Sequence, residues 1–460
     1  MTELYGLPDE LLLAVVNCLR DDTNNRYRDL NRLALTCRKL RPIAQEVFYT
    51  DISTNPTLKR GLARLARTLL QRPDLANRVR KLSIKLTEGP ITHFESCVSS
   101  GYYYEEDGEE CTCDAALIRL ILCITPVLSN LTLVTWDSPM YETHNNIAWA
   151  EVEEVFEDIT RHKDLADCLQ GLSSLTRLFT NGYPPCSWLS LPRLEAARIN
   201  LFEDAYYDNT MISHIAPSTT VSTTLTRLII QADFEALYSY DATHMKDVYG
   251  HIRSIVSGLT HLTHLFILYD TIVDPYGEFL PLNTPRGSCA HIVSHLESRS
   301  LTDLTLDIEP ALKNLVRYMT LYEYIHDTTP MTTFAGLTRI GNLNVPQEAF
   351  FSANEKFGTC HLPATIESIS IMNSTYETKR YLKHLPDHQT EWPNLKIVKL
   401  GEDPCNKQSR YPEESNDDDA SESDEGERRK VFGVDNSMYE QARSRGLRVE
   451  KVQDRVAWKK

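Results

Sequence analysis

Residues 262–270 read Leu-Thr-His-Leu-Phe-Ile-Leu-Tyr-Asp, and this stretch decides the fold of the chain. Its residues Leu262, Leu265 and Ile267 have the spacing Leu-x-x-Leu-x-Leu. The alternation at the end of the unit predicts a short strand whose apolar side chains point inward, with the residues between them on the opposite face. One such strand cannot bury its apolar face alone, so the unit is expected to repeat.

The same spacing recurs along the chain, at uneven intervals, and segments of helical spacing such as residues 251–259 and 290–296 lie between the repeats. Repeated strand, loop and helix predict an α/β fold: an irregular leucine-rich-repeat solenoid over residues 78–404, with parallel strands and helices outside. The good matches are Val79/Leu82/Ile84, Leu128/Leu131/Leu133, Leu225/Leu228/Ile230, Leu301/Leu304/Leu306, Ile366/Ile369/Ile371 and Leu395/Val398/Leu400. The weaker ones are Leu175/Leu178/Thr180, Leu194/Ala197/Ile199 and Leu337/Ile340/Asn342. An α/β domain without a true repeat is the alternative, because buried parallel strands have the same composition.

The first 52 residues predict three short helices. Pro8 and the acids Asp9 and Glu10 are typical of a helix start. Further helices are expected from about Arg28 and after Pro42. A module this small has little core of its own, so it is expected to need a partner or a neighbouring domain.

The order of residues in this module resembles an F-box, most closely the fungal type. The resemblance is carried by Leu7-Pro8-Asp9-Glu10-Leu11, Leu19 and residues 30–40, with residues 43–49 similar to the end of the domain. The sequence departs from the pattern at Leu40, where a Trp is frequent, and in a longer link between the first two helices.

The resemblance implies a substrate-recognition subunit of an SCF (Skp–cullin–F-box) ubiquitin ligase, which itself is not an enzyme. The residues implied to bind the Skp-family adaptor, and through it a cullin, are Leu7, Pro8, Leu11, Val15 and Leu33. Three alternatives stay open. The helices could cap the solenoid instead of docking; the chain could be an F-box scaffold without a ligase role; or it could be an α/β enzyme, which would need a deep pocket.

The repeat pattern also predicts where an unknown protein target would bind. Residues between the inward aliphatic positions share the concave face, and arginine and aromatic residues often carry binding energy in protein interfaces. The predicted contacts are Arg177, Phe179, Arg227, Gln231, His264, Phe266, Asp303 and Lys399.

Charge is unevenly distributed along the 460 residues, whose net charge is −16. Residues 20–85 hold ten more Lys and Arg than Asp and Glu, whereas acidic runs occupy residues 105–110 and 413–427. The net charge argues against general nucleic-acid binding. The longest apolar run, residues 11–16, is too short for a membrane helix, and the start lacks a secretory signal. A cytoplasmic or nuclear protein without membrane contact is therefore expected.

Other segments receive simpler interpretations. Residues 53–77 predict a linker helix, in which the basic side of residues 58–69 is solvated. Residues 405–430 predict an acidic disordered loop, and residues 431–460 a last strand or cap. The group Cys111 and Cys113, with Cys97, Cys123 and His93 nearby, lacks the paired spacing of a zinc site. No cofactor and no catalytic motif is expected.

Overall fold

A computed structural model describes the helices and strands of the chain in two compact units, residues 1–200 and 201–460. Each unit is considered by itself. The described residues are 6–21, 26–36, 38–54, 61–86, 114–135, 170–180, 186–201, 223–233, 255–256, 258–270, 300–307, 334, 337–346, 362–374, 378, 392–402, 444 and 446–452.

The first unit combines helices with five parallel strands. Each strand pairs with its neighbour in the sequence, from β1 to β5. The elements are α1 (Asp9–Asp21), α2 (Arg26–Thr36), α3 (Leu40–Thr50), β1 (Asp51–Ser53), α4 (Gly61–Gln71), α5 (Pro73–Ala76), β2 (Lys81–Leu86), α6 (Asp114–Ile124), β3 (Asn130–Thr135), a 3-10 helix (Gln170–Ser174), β4 (Arg177–Thr180), α7 (Cys186–Leu189) and β5 (Ala196–Leu201).

The second unit continues the same plan with seven parallel strands, again paired in sequence order. They are β6 (Arg227–Asp233), β7 (His264–Asp270), β8 (Asp303–Asp307), β9 (Asn342–Pro346), β10 (Ser368–Ser374), β11 (Ile397–Glu402) and β12 (Arg448–Val452). The predicted α/β class with parallel strands is therefore confirmed, and β12 lies within the C-terminal segment of residues 431–460.

The strand register aligns the middle aliphatic residue of one repeat with that of the next. In the first unit the aligned and buried residues are Leu82, Leu131, Leu178 and Ala197. In the second unit they are Leu228, Leu265, Leu304, Leu343, Ile369, Val398 and Val449. The unit read from the sequence is thus the unit that pairs in space.

One repeat was assigned to the wrong residues. The sequence predicted Leu337/Ile340/Asn342, but Leu343 pairs with Leu304, and Asn342 is exposed at the start of β9. The structure therefore uses Ile340, Leu343 and Val345, three residues further on. Leu337, Ile340 and Leu343 are equally spaced, so the pattern permits both frames. Burial of Val345 instead of the polar Asn342 favours the later one.

Ser and Thr side chains strengthen the pairing just before the strands. The carbonyl of Thr226 accepts the N–H of Thr263 at 2.9 Å and that of His264 at 3.0 Å, and the Thr263 hydroxyl also donates to it at 3.0 Å. The Thr302 hydroxyl makes the same bond to the Thr263 carbonyl at 3.1 Å. Ser129 repeats the pattern in the first unit by donating to the Arg80 carbonyl at 2.9 Å.

Helix α4 is amphipathic. It packs against α6 and buries Leu62, Ala66 and Leu69, whereas Arg64 and Arg67 are exposed. The predicted linker region thus contains a helix from Gly61 to Gln71, and residues 55–60 lie outside the described residues. The same region also contains α5 and is flanked by β1, which pairs with β2.

A close backbone contact fixes the 3-10 helix against the end of α6. A Cβ atom at Gly171 would lie 2.6 Å from the Thr125 carbonyl oxygen and 2.7 Å from that of Leu122. We expect Gly171→Ala to lower the free energy of unfolding by about 1–3 kcal/mol, because two backbone segments must separate. Urea denaturation followed by circular dichroism measures the change.

Gly341→Ala is the matched control for this prediction. Its added Cβ would lie 3.9 Å from its nearest neighbour, the Thr302 carbonyl oxygen, so we expect a change within about 0.5 kcal/mol. Equal destabilisation by the two substitutions would show that the close contact at Gly171 is not the cause.

Candidate functional site

The three N-terminal helices form a module around their own small core. Val16, Leu30 and Val47, one from each helix, are fully or almost fully buried. Leu33 packs against this cluster. Leu33, one of the residues implied to bind an adaptor, therefore packs at least in part against the core of the module.

A stripe of α1 beside the buried one exposes apolar residues. Leu11 is 52% exposed and Val15 is 43% exposed, and their separation by one turn places them on one stripe of the helix. Pro8 is exposed just before α1, and Leu7 is half-buried. We call Pro8, Leu11 and Val15 the α1 strip.

Leu35 is an exposed apolar residue that the sequence analysis missed. It lies near the end of α2 and is 70% exposed. The sequence does contain a signal for it, because Leu33 and Leu35 are two positions apart and cannot face the same side of a helix. Since Leu33 packs inward, Leu35 is left outside.

Lys39 ties the turn after α2 to the start of α1. Its ammonium group donates to the Leu7 carbonyl at 3.0 Å and lies 3.7 Å from the Asp9 carboxylate. These contacts bring the end of α2, where Leu35 lies, to the same end of the module as Pro8 and Leu11. The exposed ion pair alone contributes little, but the hydrogen bond orients the turn.

Leu40 has a clear packing role where the F-box pattern often has Trp. It is the first residue of α3 and only 4% exposed. The position is therefore part of the interior of the module, and the smaller side chain fills it here.

Helix α3 joins the sheet directly. It ends at Thr50, and β1 begins at Asp51 and pairs with β2. The Thr50 carbonyl accepts the Arg80 N–H at 3.0 Å, and Arg78 forms an ion pair with Glu46 of α3. The module and the first strands are thus joined without an intervening loop.

Electrostatic shifts occur at this junction. Burial raises the pKa of Tyr49, at the end of α3, and the nearby Arg72 partly opposes the rise. Arg72 also donates two hydrogen bonds to Asp74, at 2.9 and 2.7 Å, and these lower the pKa of that exposed carboxyl. The groups orient the start of α5 and are not arranged for proton transfer.

The outward strand residues of the first unit are accessible. Arg177 is exposed at the start of β4, and Phe179 is half-buried two residues later. Arg198 of β5 lies over the Phe179 ring, with its guanidinium carbon 4.5 Å from the centroid. Arg198 was not among the contacts predicted from the sequence.

The corresponding row of the second unit forms a polar network. His264 Nε2 lies 3.4 Å from the Asp303 carboxylate, which also accepts hydrogen bonds from Asn342 Nδ2 and the Thr302 hydroxyl, each at 2.6 Å. The predicted residues His264 and Asp303 are therefore brought together. Arg227, Gln231 and Lys399 lie on other strands of this unit, and Arg227 pairs in register with His264.

The next row of the second unit is buried at β7 and β8, whereas Lys399, in the same row on β11, is half-buried. Phe266 is 3% exposed and Thr305 is 5% exposed. Phe266 is therefore not the exposed aromatic contact that the sequence predicted. The Asn344 Oδ1 atom in the same row is buried without a hydrogen-bond partner among the described residues.

Several sequence predictions lie outside the described residues. They include Cys97, Cys111, Cys113 and His93, and the acidic loop of residues 405–430. Cys123 is described, as a half-buried free thiol in α6. Within the described ranges, no three or more His, Cys, Asp or Glu side chains are grouped as a metal site would require. None of the helices described is both long and apolar enough to cross a membrane.

Comparison with known proteins adds no family assignment: no protein-family model and no curated protein matches the chain.

The two sides of α1 should respond differently to truncation. Val16 is completely buried, so we expect Val16→Ala to destabilise the module by about 2 kcal/mol. The adjacent Val15→Ala removes an exposed side chain and should change stability by less than about 0.5 kcal/mol. Hydrogen exchange of the α1–α3 amides in the full chain measures both effects, and a larger effect at Val15 would contradict the assignment of the core.

Proposed function

We propose that the chain is a substrate receptor of an SCF ubiquitin ligase, with residues 1–52 acting as an F-box and the strand repeats as an irregular leucine-rich solenoid. The observation that carries the proposal is the α1 strip. The module buries Val16, Leu30 and Val47 inside yet leaves Leu11 and Val15 exposed. Apolar residues on one stripe of an exposed helix are typical of a helix that docks into a groove of another protein.

The proposed energetic basis of docking is burial of the α1 strip together with Leu35 of α2. Removing a leucine side chain from water contributes about 1.5–3 kcal/mol, so Leu11, Val15 and Leu35 together favour an adaptor that supplies an apolar groove. The half-buried Leu33 would act indirectly, by holding α2 in place. Leu7 and Pro8 would lie at the border of the contact, where Lys39 fixes the start of α1.

The proposed mechanism is proximity. The module anchors the chain to a Skp-family adaptor and, through it, to a cullin, while outward residues of the strands hold a protein target. Holding both partners makes ubiquitin transfer effectively intramolecular, so the receptor itself needs no catalytic group. The proposal places the chain in the cytoplasm or nucleus.

A charge placed in the strip tests adaptor binding. We expect Leu11→Glu to weaken binding to the Skp-family adaptor on the order of a hundredfold, because an unpaired carboxylate would have to be buried. Isothermal titration calorimetry with the purified full chain measures the affinity. Circular dichroism checks that the exposed substitution leaves the fold intact.

Leu70→Glu is the matched control, since Leu70 of α4 is 50% exposed and outside the module. Its affinity for the adaptor should equal that of the unchanged chain. If Leu11→Glu leaves adaptor binding unchanged, the assignment of the α1 strip as the docking surface is wrong. Binding of the adaptor without recruitment of a cullin would instead indicate the scaffold role without ligase activity.

Point substitution is preferable to removal of residues 1–50. Such a deletion would take away α3 and the Thr50 carbonyl that bonds to Arg80, and would leave β1 without its support. A loss of binding after the deletion would therefore mix docking with damage to the sheet.

A further inference from the structure

The outward positions of β2 and β4 in the first unit carry three exposed cations. Lys81 and Lys85 of β2 and Arg177 of β4 are exposed, and none of them forms an ion pair with another described residue. Lys81 and Arg177 both align in register with Asn130 of β3. The described outward positions of β2–β5 include no Asp or Glu, whereas Asp51 of the terminal strand β1 aligns in register with Lys81.

Uncharged polar groups lie between these cations. Ser83, Asn130 and Thr132 are half-buried on the outward side of β2 and β3. Their hydroxyl and amide groups can donate to carboxylates or exchange hydrogen bonds with a peptide backbone. Beyond Arg177, the guanidinium of Arg198 is held over Phe179, which adds a fourth cation of fixed position.

The spacing of the cations indicates the class of ligand. Strands lie about 4.8 Å apart, so Lys81 and Arg177 are separated by roughly 10 Å, and Lys81 and Lys85 by about 13 Å along one strand. A single small anion cannot reach all of them. Alternate side chains of an extended peptide are about 7 Å apart and lie on one side, so a peptide with several acidic residues can reach cations along and across the strands. The net charge of −16 disfavours a nucleic-acid strand as the ligand.

We infer that the outward face of β2–β5 binds a protein segment rich in Asp and Glu. Carboxylates of the segment contact Lys81, Lys85, Arg177 and Arg198, while Ser83, Asn130 and Thr132 provide hydrogen bonds. The equivalent rows of the second unit are less suited to this ligand, because Asp303 already contacts His264 and Phe266 is buried.

The inference deepens the proposed function by naming the class of target, and in that respect rests on it. Binding of the acidic segment can nevertheless be tested separately, because the cationic face and the α1 strip share no residue. Leu11→Glu should leave acidic-peptide binding unchanged, so failure of one assignment is distinguishable from failure of the other.

The experiment uses the full chain and a fluorescently labelled peptide in which Glu alternates with Ser, with a Gln-for-Glu peptide as the neutral probe. Fluorescence anisotropy should show binding of the Glu peptide that weakens with added salt, and no binding of the Gln peptide. We expect Lys81→Glu/Lys85→Glu to weaken binding of the Glu peptide about tenfold, because attraction is replaced by repulsion at two positions.

Arg64→Glu/Arg67→Glu provides a control of equal charge change in the same unit. Both arginines are exposed on α4 instead of the strand face, so the affinity for the Glu peptide should change less than about twofold. Equal weakening by the two double variants would overturn the inference, because the effect would then be one of overall charge. Tighter binding of a single-stranded oligonucleotide of matched charge would also overturn it.

Discussion

The structure depends on one repeated interaction: a backbone carbonyl just before one strand accepts the first two N–H groups of the next repeat. The Thr226 carbonyl accepts the N–H groups of Thr263 and His264. In the same way, the Thr302 carbonyl accepts those of Gly341 and Asn342. Because the same atoms meet in successive repeats, the aliphatic residues that follow stay in register and bury one another. Ser or Thr at this position adds a hydroxyl donor, which explains why the residue is polar although it adjoins the core.

This interaction tolerates uneven spacing along the chain. The register requires only that each repeat return to the same carbonyl, and long insertions between strands cost little additional loop-closure entropy. Repeats separated by very different numbers of residues can therefore form the same parallel pairing. Irregular spacing in the sequence is compatible with a regular ladder of hydrogen bonds.

The strands could be predicted from sequence because inward and outward positions alternate with a period of two. The repeat frame around Leu343 could not be predicted. Leu337, Ile340 and Leu343 are equally spaced and allow two frames, and only burial in the structure distinguishes them. Leu11 and Val15 could be placed on one helical stripe, but not shown to be exposed. The position of the Arg198 guanidinium depends on its cross-strand neighbour Phe179. The burial of Phe266 depends on residues outside its own repeat. Neither feature can be predicted from local spacing.

The direct junction between α3 and β1 has a mechanical consequence. With Thr50 in the helix and Asp51 in the strand, no residue is left to act as a hinge, so the direction of the α1 strip is set by the twist of the first strands. If the chain acts as the proposed receptor, its two proposed binding surfaces in the first unit are held at a constant angle. In an assembled ligase, such a receptor would select among the lysines of a target by their position in space, not by the sequence around them.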